Sequence, residues 1–107
     1  MDWQDLGEAR TLAPGEHLVA GLPDYSVLVV NVDGTFHAVE NLCPHDGGEL
    51  GGGLIEGDRV TCPRHGACFN LRTGEVLKPP AFEDLLRFEV RVENGRLLVA
   101  TQPKASD

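Results

Sequence analysis

The chain reads as an all-β fold, an antiparallel sandwich or barrel. Three observations predict it. Short apolar or alternating runs recur along the sequence. Two-residue turn signals, Asp33-Gly34 and Asn94-Gly95, join pairs of these runs. No helical stripe of any length interrupts them; the nearest thing to a helix is a short turn around Phe82–Leu86.

Taken in order, "HLVAGLP" from His17 is an early strand. "SVLVVNVDGTFHAVE" is a hairpin, an apolar run followed by the Asp-Gly turn and then alternation at Phe36 and Ala38. "GDRVTC" and "ACFNLRTGEVL" are shorter strands, the second with a turn at Thr73-Gly74. "LLRFEVRVENGRLLVA" repeats the hairpin design. Leu86, Phe88, Val90 and Val92 alternate with Arg87, Glu89 and Arg91 before Asn94-Gly95 turns the chain. Between the hairpins, residues 41–57 hold six glycines and little to pack, which marks a functional loop between strands.

Bulk properties narrow the class. The chain has 107 residues, one domain's worth, and 41% of them are apolar, enough to build a core. The net charge is −8. Nucleic acid is excluded as a partner, because it needs clustered Lys and Arg. The longest aliphatic run, Val27 to Val30, is far short of the roughly 20 residues of a membrane span. The acidic N-terminus does not read as a signal peptide, so a cytoplasmic location is expected. An odd cysteine count, at 43, 62 and 68, argues for ligands or thiols over a disulfide framework.

Two short stretches carry the chemistry. "NLCPHDGGEL" sets Cys43 and His45 two positions apart, and "CPRHGACF" sets Cys62 and His65 three apart, with sixteen residues between the pairs. A proline after each cysteine stiffens its loop and lowers the entropy cost of ordering it around a metal. Two centres fit two thiolates and two imidazoles: tetrahedral zinc, and a 2Fe–2S cluster. Zinc sites commonly pair like residues within each half, as in C-x2–4-C with H-x3–5-H. Here each loop contributes one of each, which suits an object of two irons.

At this point "CPH…CPRH", with "GACFNLRTGEVLKPPA" downstream, resembles the Rieske-type ferredoxins. The resemblance implies a Rieske-like antiparallel β-sandwich or barrel, a single domain over residues 1–107. A cluster-binding subdomain of two loops, about 41–82, would be inserted in the base β-domain, with the "KPPA" loop shielding the cluster. It implies one 2Fe–2S cluster per chain, with Cys43 and Cys62 on the inner iron and His45 and His65 on the outer, solvent-facing iron. Departures from the family's membrane-complex branch are informative. The half-cystines that tie the two loops there fall at Gly48 and Arg64. The hydroxyl donors of that branch fall at Ala67 and Phe69. Hydroxyl donors stabilise the reduced cluster, so their absence implies the low end of the Rieske range, about −150 mV.

Other residues have simpler readings. Cys68 is a small buried hydrophobe behind the second loop. His17 and His37 are surface strand residues, and Trp3 is a core anchor for the first strand. Phe82 is a packing residue after the proline loop, and Glu49 and Glu56 are ordinary loop carboxylates. Asp46 and Arg64 are equally readable as solvated charges or as partner contacts.

The resemblance implies a soluble monomeric one-electron carrier without catalytic residues of its own. It would run from a flavoprotein reductase to a terminal oxygenase of the aromatic-ring hydroxylating kind. The alternatives are the small Rieske-like subunit of an assimilatory nitrite reductase and a zinc-stabilised interaction module. A complete Rieske oxygenase would need a further mononuclear iron with two more histidines and a carboxylate, and only His17 and His37 remain. Cluster-bound imidazoles can release their outer proton when the cluster is oxidised. The midpoint potential is therefore expected to fall at alkaline pH, as followed by voltammetry; a flat response up to about pH 10 would refute it.

Overall fold

The computed structural model describes residues 2–44, 47–64 and 66–104. Ten strands are present among them: β1 (Trp3–Glu8), β2 (His17–Gly21), β3 (Ser26–Val32), β4 (Thr35–Glu40), β5 (Leu54–Glu56), β6 (Arg59–Thr61), β7 (Cys68–Asn70), β8 (Val76–Lys78), β9 (Arg87–Glu93) and β10 (Arg96–Pro103). All pairings are antiparallel. A six-stranded sheet runs β1-β10-β9-β4-β3-β2, and a four-stranded sheet runs β5-β6-β7-β8. The small sheet is built entirely from chain lying between β4 and β9.

The two turn signals act locally. Asp33 (φ 52°) and Gly34 (φ 93°) close β3 onto β4, and Asn94 (φ 50°) and Gly95 (φ 76°) close β9 onto β10. Positive φ at both central residues matches the right-handed twist of the strands, which is why Asp-Gly and Asn-Gly serve here. The all-β expectation holds. Its helical turn does not: residues 82–86 form no helix, and the one helical element among the described residues is a 3-10 turn at Ala9–Thr11. Strand β1 was not expected, because "WQDLGE" is polar and carries a glycine. It forms against β10, at the far end of the chain, through pairs such as Trp3 with Ala100.

Strand β3 explains the layering. Its residues Val27 through Val32 are buried without alternation, and the two faces serve different cores. Val27 and Val29 point into one cluster with Ala38, Phe88, Leu97 and Val99. Leu28, Val30 and Val32 point into a second, with Val39, Val60, Phe69 and Leu71. A strand covered on both faces reads as a continuous apolar run, which is the pattern in the sequence. The second cluster lies between the large and small sheets. It also takes in Leu50, so residues 41–57 pack more than their glycine content implies.

Two residues depart from their expected places. Trp3 is half-buried, outside both clusters, with the Arg91 guanidinium 4.1 Å from its ring centroid. Phe82 is 87% exposed and outside both clusters. No helix among the described residues is long and apolar enough to cross a membrane.

Leu28→Ala and Leu97→Ala are each expected to cost about 2–5 kcal/mol in urea denaturation. They should separate by native-state hydrogen exchange. Leu28→Ala speeds exchange around Val60 and Leu71, and Leu97→Ala around Val90 and Val99.

Candidate metal centre

Cys43 and Cys62 come from loops that follow β4 and β6. The two loops have the same backbone design. The N–H of Gly47 donates to the Cys43 carbonyl (2.7 Å), and the Cys43 N–H donates to the Gly48 carbonyl (2.7 Å). In the second loop the Gly66 N–H donates to the Cys62 carbonyl (3.2 Å), and the Cys62 N–H to the Ala67 carbonyl (2.7 Å). Each is a Cys-Pro-x-x-Gly turn whose glycine has a positive φ, 74° at Gly47 and 78° at Gly66. A side chain at either glycine would be strained in that conformation, which accounts for the residue type.

Both thiols are buried, Cys43 fully and Cys62 at 2% exposure, and both belong to the apolar cluster between the sheets. Structure therefore seats both cysteines in one apolar cluster. His45, Asp46 and His65 lie outside the described residues. Among those described, no three His, Cys, Asp or Glu side chains converge on one point, so Cys68 is not a third donor to the pair. None of the three cysteines forms a disulfide. Cys68 is buried as expected, its Sγ 3.2 Å from the Thr61 hydroxyl and 3.6 Å from the Gly66 carbonyl.

The loops are tied together at the positions that the resemblance aligned with half-cystines. Arg64 Nη1 donates to the Glu49 carbonyl across the gap (2.9 Å). Its guanidinium occupies the space that a Cβ on residue 48 would take, with Nε 2.7 Å from that point. A side chain at 48 would displace this guanidinium. Arg64 is exposed, as either reading of it expected, and it also bridges the two loops.

Asn41 is a site residue that the sequence reading passed over. It is buried, two positions before Cys43. Its Oδ1 accepts from the N–H groups of Leu50 (2.9 Å) and Gly51 (2.7 Å). Its Nδ2 donates to Glu49 Oε1 (3.0 Å) and Ser26 Oγ (3.2 Å). One amide therefore closes the first loop onto itself and onto β3. Glu49, expected to be an ordinary loop carboxylate, takes part in both ties. The signal available in sequence was an asparagine, a residue that often bonds nearby backbone, opening a glycine-rich segment.

The donor set suits a cluster. Two buried thiols, soft sulfur donors, open two matched, internally bonded turns in apolar surroundings that limit water. Ala67 and Phe69, the positions aligned with hydroxyl donors, are fully buried and bring no O–H group to the site.

Comparison with known proteins agrees with this geometry. The family profile "Rieske [2Fe-2S] domain" matches residues 2–96. Apoptosis-inducing factor 3 of Homo sapiens is 40% identical over 79 residues, 74% of this chain; the chain spans only 13% of that protein's length. The biphenyl dioxygenase ferredoxin subunit of Pseudomonas sp. (strain KKS102) is 39% identical over 87 residues, 80% of each chain. Among solved structures, a chain of the complex of reduced oxygenase and oxidized ferredoxin in carbazole 1,9a-dioxygenase superposes with a TM-score of 0.93. That match covers 97% of both chains at 31% identity. The ferredoxin of carbazole 1,9a-dioxygenase from Nocardioides aromaticivorans IC177 gives 0.83, over 92% of this chain and 99% of that one at 26% identity.

Asn41→Ala leaves the buried N–H of Leu50 and the partly buried N–H of Gly51 without their acceptor. It is expected to destabilise the fold by about 2–3 kcal/mol in chemical denaturation and to speed bleaching of the visible chromophore. Unchanged stability would show that water replaces the amide.

Proposed function

Because this chain belongs to the Rieske 2Fe–2S family, we propose that it is a ferredoxin of an aromatic-ring oxygenase system. It would take single electrons from a flavoprotein reductase and deliver them to a terminal oxygenase. The observation that carries the reading is the end-to-end correspondence with such carriers, 80% of both chains for the biphenyl dioxygenase ferredoxin subunit. In this reading a 2Fe–2S cluster, held by Cys43 and Cys62 on one iron and by His45 and His65 on the other, supplies reversible one-electron chemistry.

The chain's own residues set how that chemistry is used. The cysteine pair fixes the inner side of the site in a dry cluster, which limits reorganisation and water access. Absence of hydroxyl donors at 67 and 69 favours the low end of the Rieske range. Leu42 (38% exposed) precedes the first ligand. Phe82 follows Ala81, which packs in the same cluster as both thiols. These exposed apolar side chains offer a small contact surface near the site, on the scale of transient redox encounters. The acidic remainder of the chain, at net −8, would steer it toward basic partner faces. A monomer in the cytoplasm fits this role, and a reducing compartment fits three cysteines without a disulfide.

The match to apoptosis-inducing factor 3 favours a second reading, a Rieske module working within or beside a much larger redox protein. Rapid-mixing kinetics with separate reductase and oxygenase components tests between them. The ferredoxin reading expects electron transfer that saturates in this chain, and a rhombic EPR signal on reduction with average g below the free-electron value. A colourless protein that binds zinc would overturn it. Phe82→Ala is expected to leave the spectrum and melting temperature unchanged, because the side chain buries almost nothing. It should raise the KM for the oxygenase several-fold with little change in kcat.

A further inference from the structure

Strands β4 and β9 pair only briefly, Ala38 with Phe88 and Val39 with Arg87. Beyond that point they separate. Phe36 and His37 pair with β3 alone, and Val90 pairs with Val99 of β10. The opened seam is a cavity of about 140 Å³, floored by Phe88 and Leu71 and carrying His37, Arg72, Arg87 and Lys104 on its walls. Three of the chain's nine Lys and Arg residues therefore line one cavity, in a protein with seventeen Asp and Glu.

That concentration is not neutralised internally. Arg72 pairs with Asp58 (Nε to Oδ2, 3.3 Å), while Arg87 and Lys104 have no carboxylate partner among the described residues. The two are held next to each other, the Lys104 N–H donating to the Arg87 carbonyl (2.7 Å). His37, expected on the surface, is half-buried, and its Nε2 is enclosed with no hydrogen-bond partner among the described residues. Arg87 and Lys104, unpaired beside a half-buried imidazole, imply an anion from solution. The volume sets its size. Sites for organic ligands run to roughly 300–1,000 Å³, well above this cavity.

We propose that the seam between β4 and β9 is a binding site for one small inorganic oxyanion of the sulfate or phosphate class, held by Arg72, Arg87 and Lys104. Nothing in the electron-carrier reading requires it, and it stands independently of that reading. Binding is coupled to a proton. Burial, and then the charges of Arg72 and Lys104, hold the His37 imidazole below its ordinary pKa, with Asp58 opposing. The groups around it are Arg72 and Asp58 from turns of the small sheet, Arg87 from β9 and Lys104 beyond β10; β3 places only Val30 opposite. An anion among the cations offsets their repulsion and lets His37 take up a proton. Affinity thus rises as pH falls through the imidazole range.

The test is calorimetric and NMR titration of the intact, cluster-loaded protein with sodium sulfate, at ionic strength held constant with sodium chloride. Sulfate keeps both charges across this pH range, so proton linkage reports on the protein. The expected result is saturable binding at one site, with amide shifts centred on residues 36–38, 72, 87 and 104. Lys104→Gln and Arg87→Gln should each weaken it about tenfold with the visible spectrum and melting temperature unchanged. Lys104 is exposed, so its variant keeps the test free of folding effects. His37→Gln should retain binding and lose the pH dependence. Shifts that stay linear in sulfate, affinity unaltered in both charge variants, or pH dependence that survives His37→Gln would overturn the proposal.

Discussion

The structure depends on one arrangement: the thiols of Cys43 and Cys62 sit in the same apolar cluster that bonds the small sheet to the large one. Metal-site geometry and fold stability are therefore the same packing problem. The cluster exists because β3 is apolar on both faces. Leu28, Val30 and Val32 form its floor, while Val27 and Val29 belong to the other core. Displacing any floor residue would shift the surface against which both cysteine loops rest. Close-packed interiors transmit such changes instead of absorbing them.

Above that floor, the two ligand loops are near copies of each other in backbone hydrogen bonding. Each cysteine has its own N–H and C=O fixed by partners five and four residues on. This holds the sulfur position through main-chain bonds, which are indifferent to the side chains carried at the tips. The chain supplies no covalent link between the loops. The Arg64 guanidinium lies against Gly48 and reaches the Glu49 carbonyl, and Asn41 closes the first loop at its base. A hydrogen-bonded tie contributes less than a disulfide, but it forms under reducing conditions where a disulfide would not persist.

Charge is distributed unevenly over the molecule. Acidic residues dominate overall, yet the β4–β9 seam gathers Arg72, Arg87 and Lys104. Exposed apolar side chains, chiefly Phe82, stand by the loop after β8. In the proposed carrier role, an acidic body would govern long-range approach and a few apolar contacts would fix the final pose. That division suits encounters that must form and dissolve quickly.

Local features were legible from the amino-acid order alone. Asp33-Gly34 and Asn94-Gly95 define their turns because positive φ at adjacent residues is a local property. The apolar run of β3 marked a strand, but that both its faces are covered was seen only in the structure. Cys43 and Cys62, each followed by proline and closed by a glycine four residues on, marked the ligand loops, because spacing within a loop needs no distant partner. What tertiary structure decided was everything that relied on a distant neighbour. Strand β1 forms only because β10 arrives from the other end of the chain, and Trp3 rests under Arg91 instead of in a core. Phe82 is left outside because no second surface reaches it. Asn41 acquires its role when residues 49–51 return to it, and His37 shares its cavity with groups from three other segments. Turn preference and ligand spacing act over a few residues; burial and charge environment are set by which parts of the chain meet.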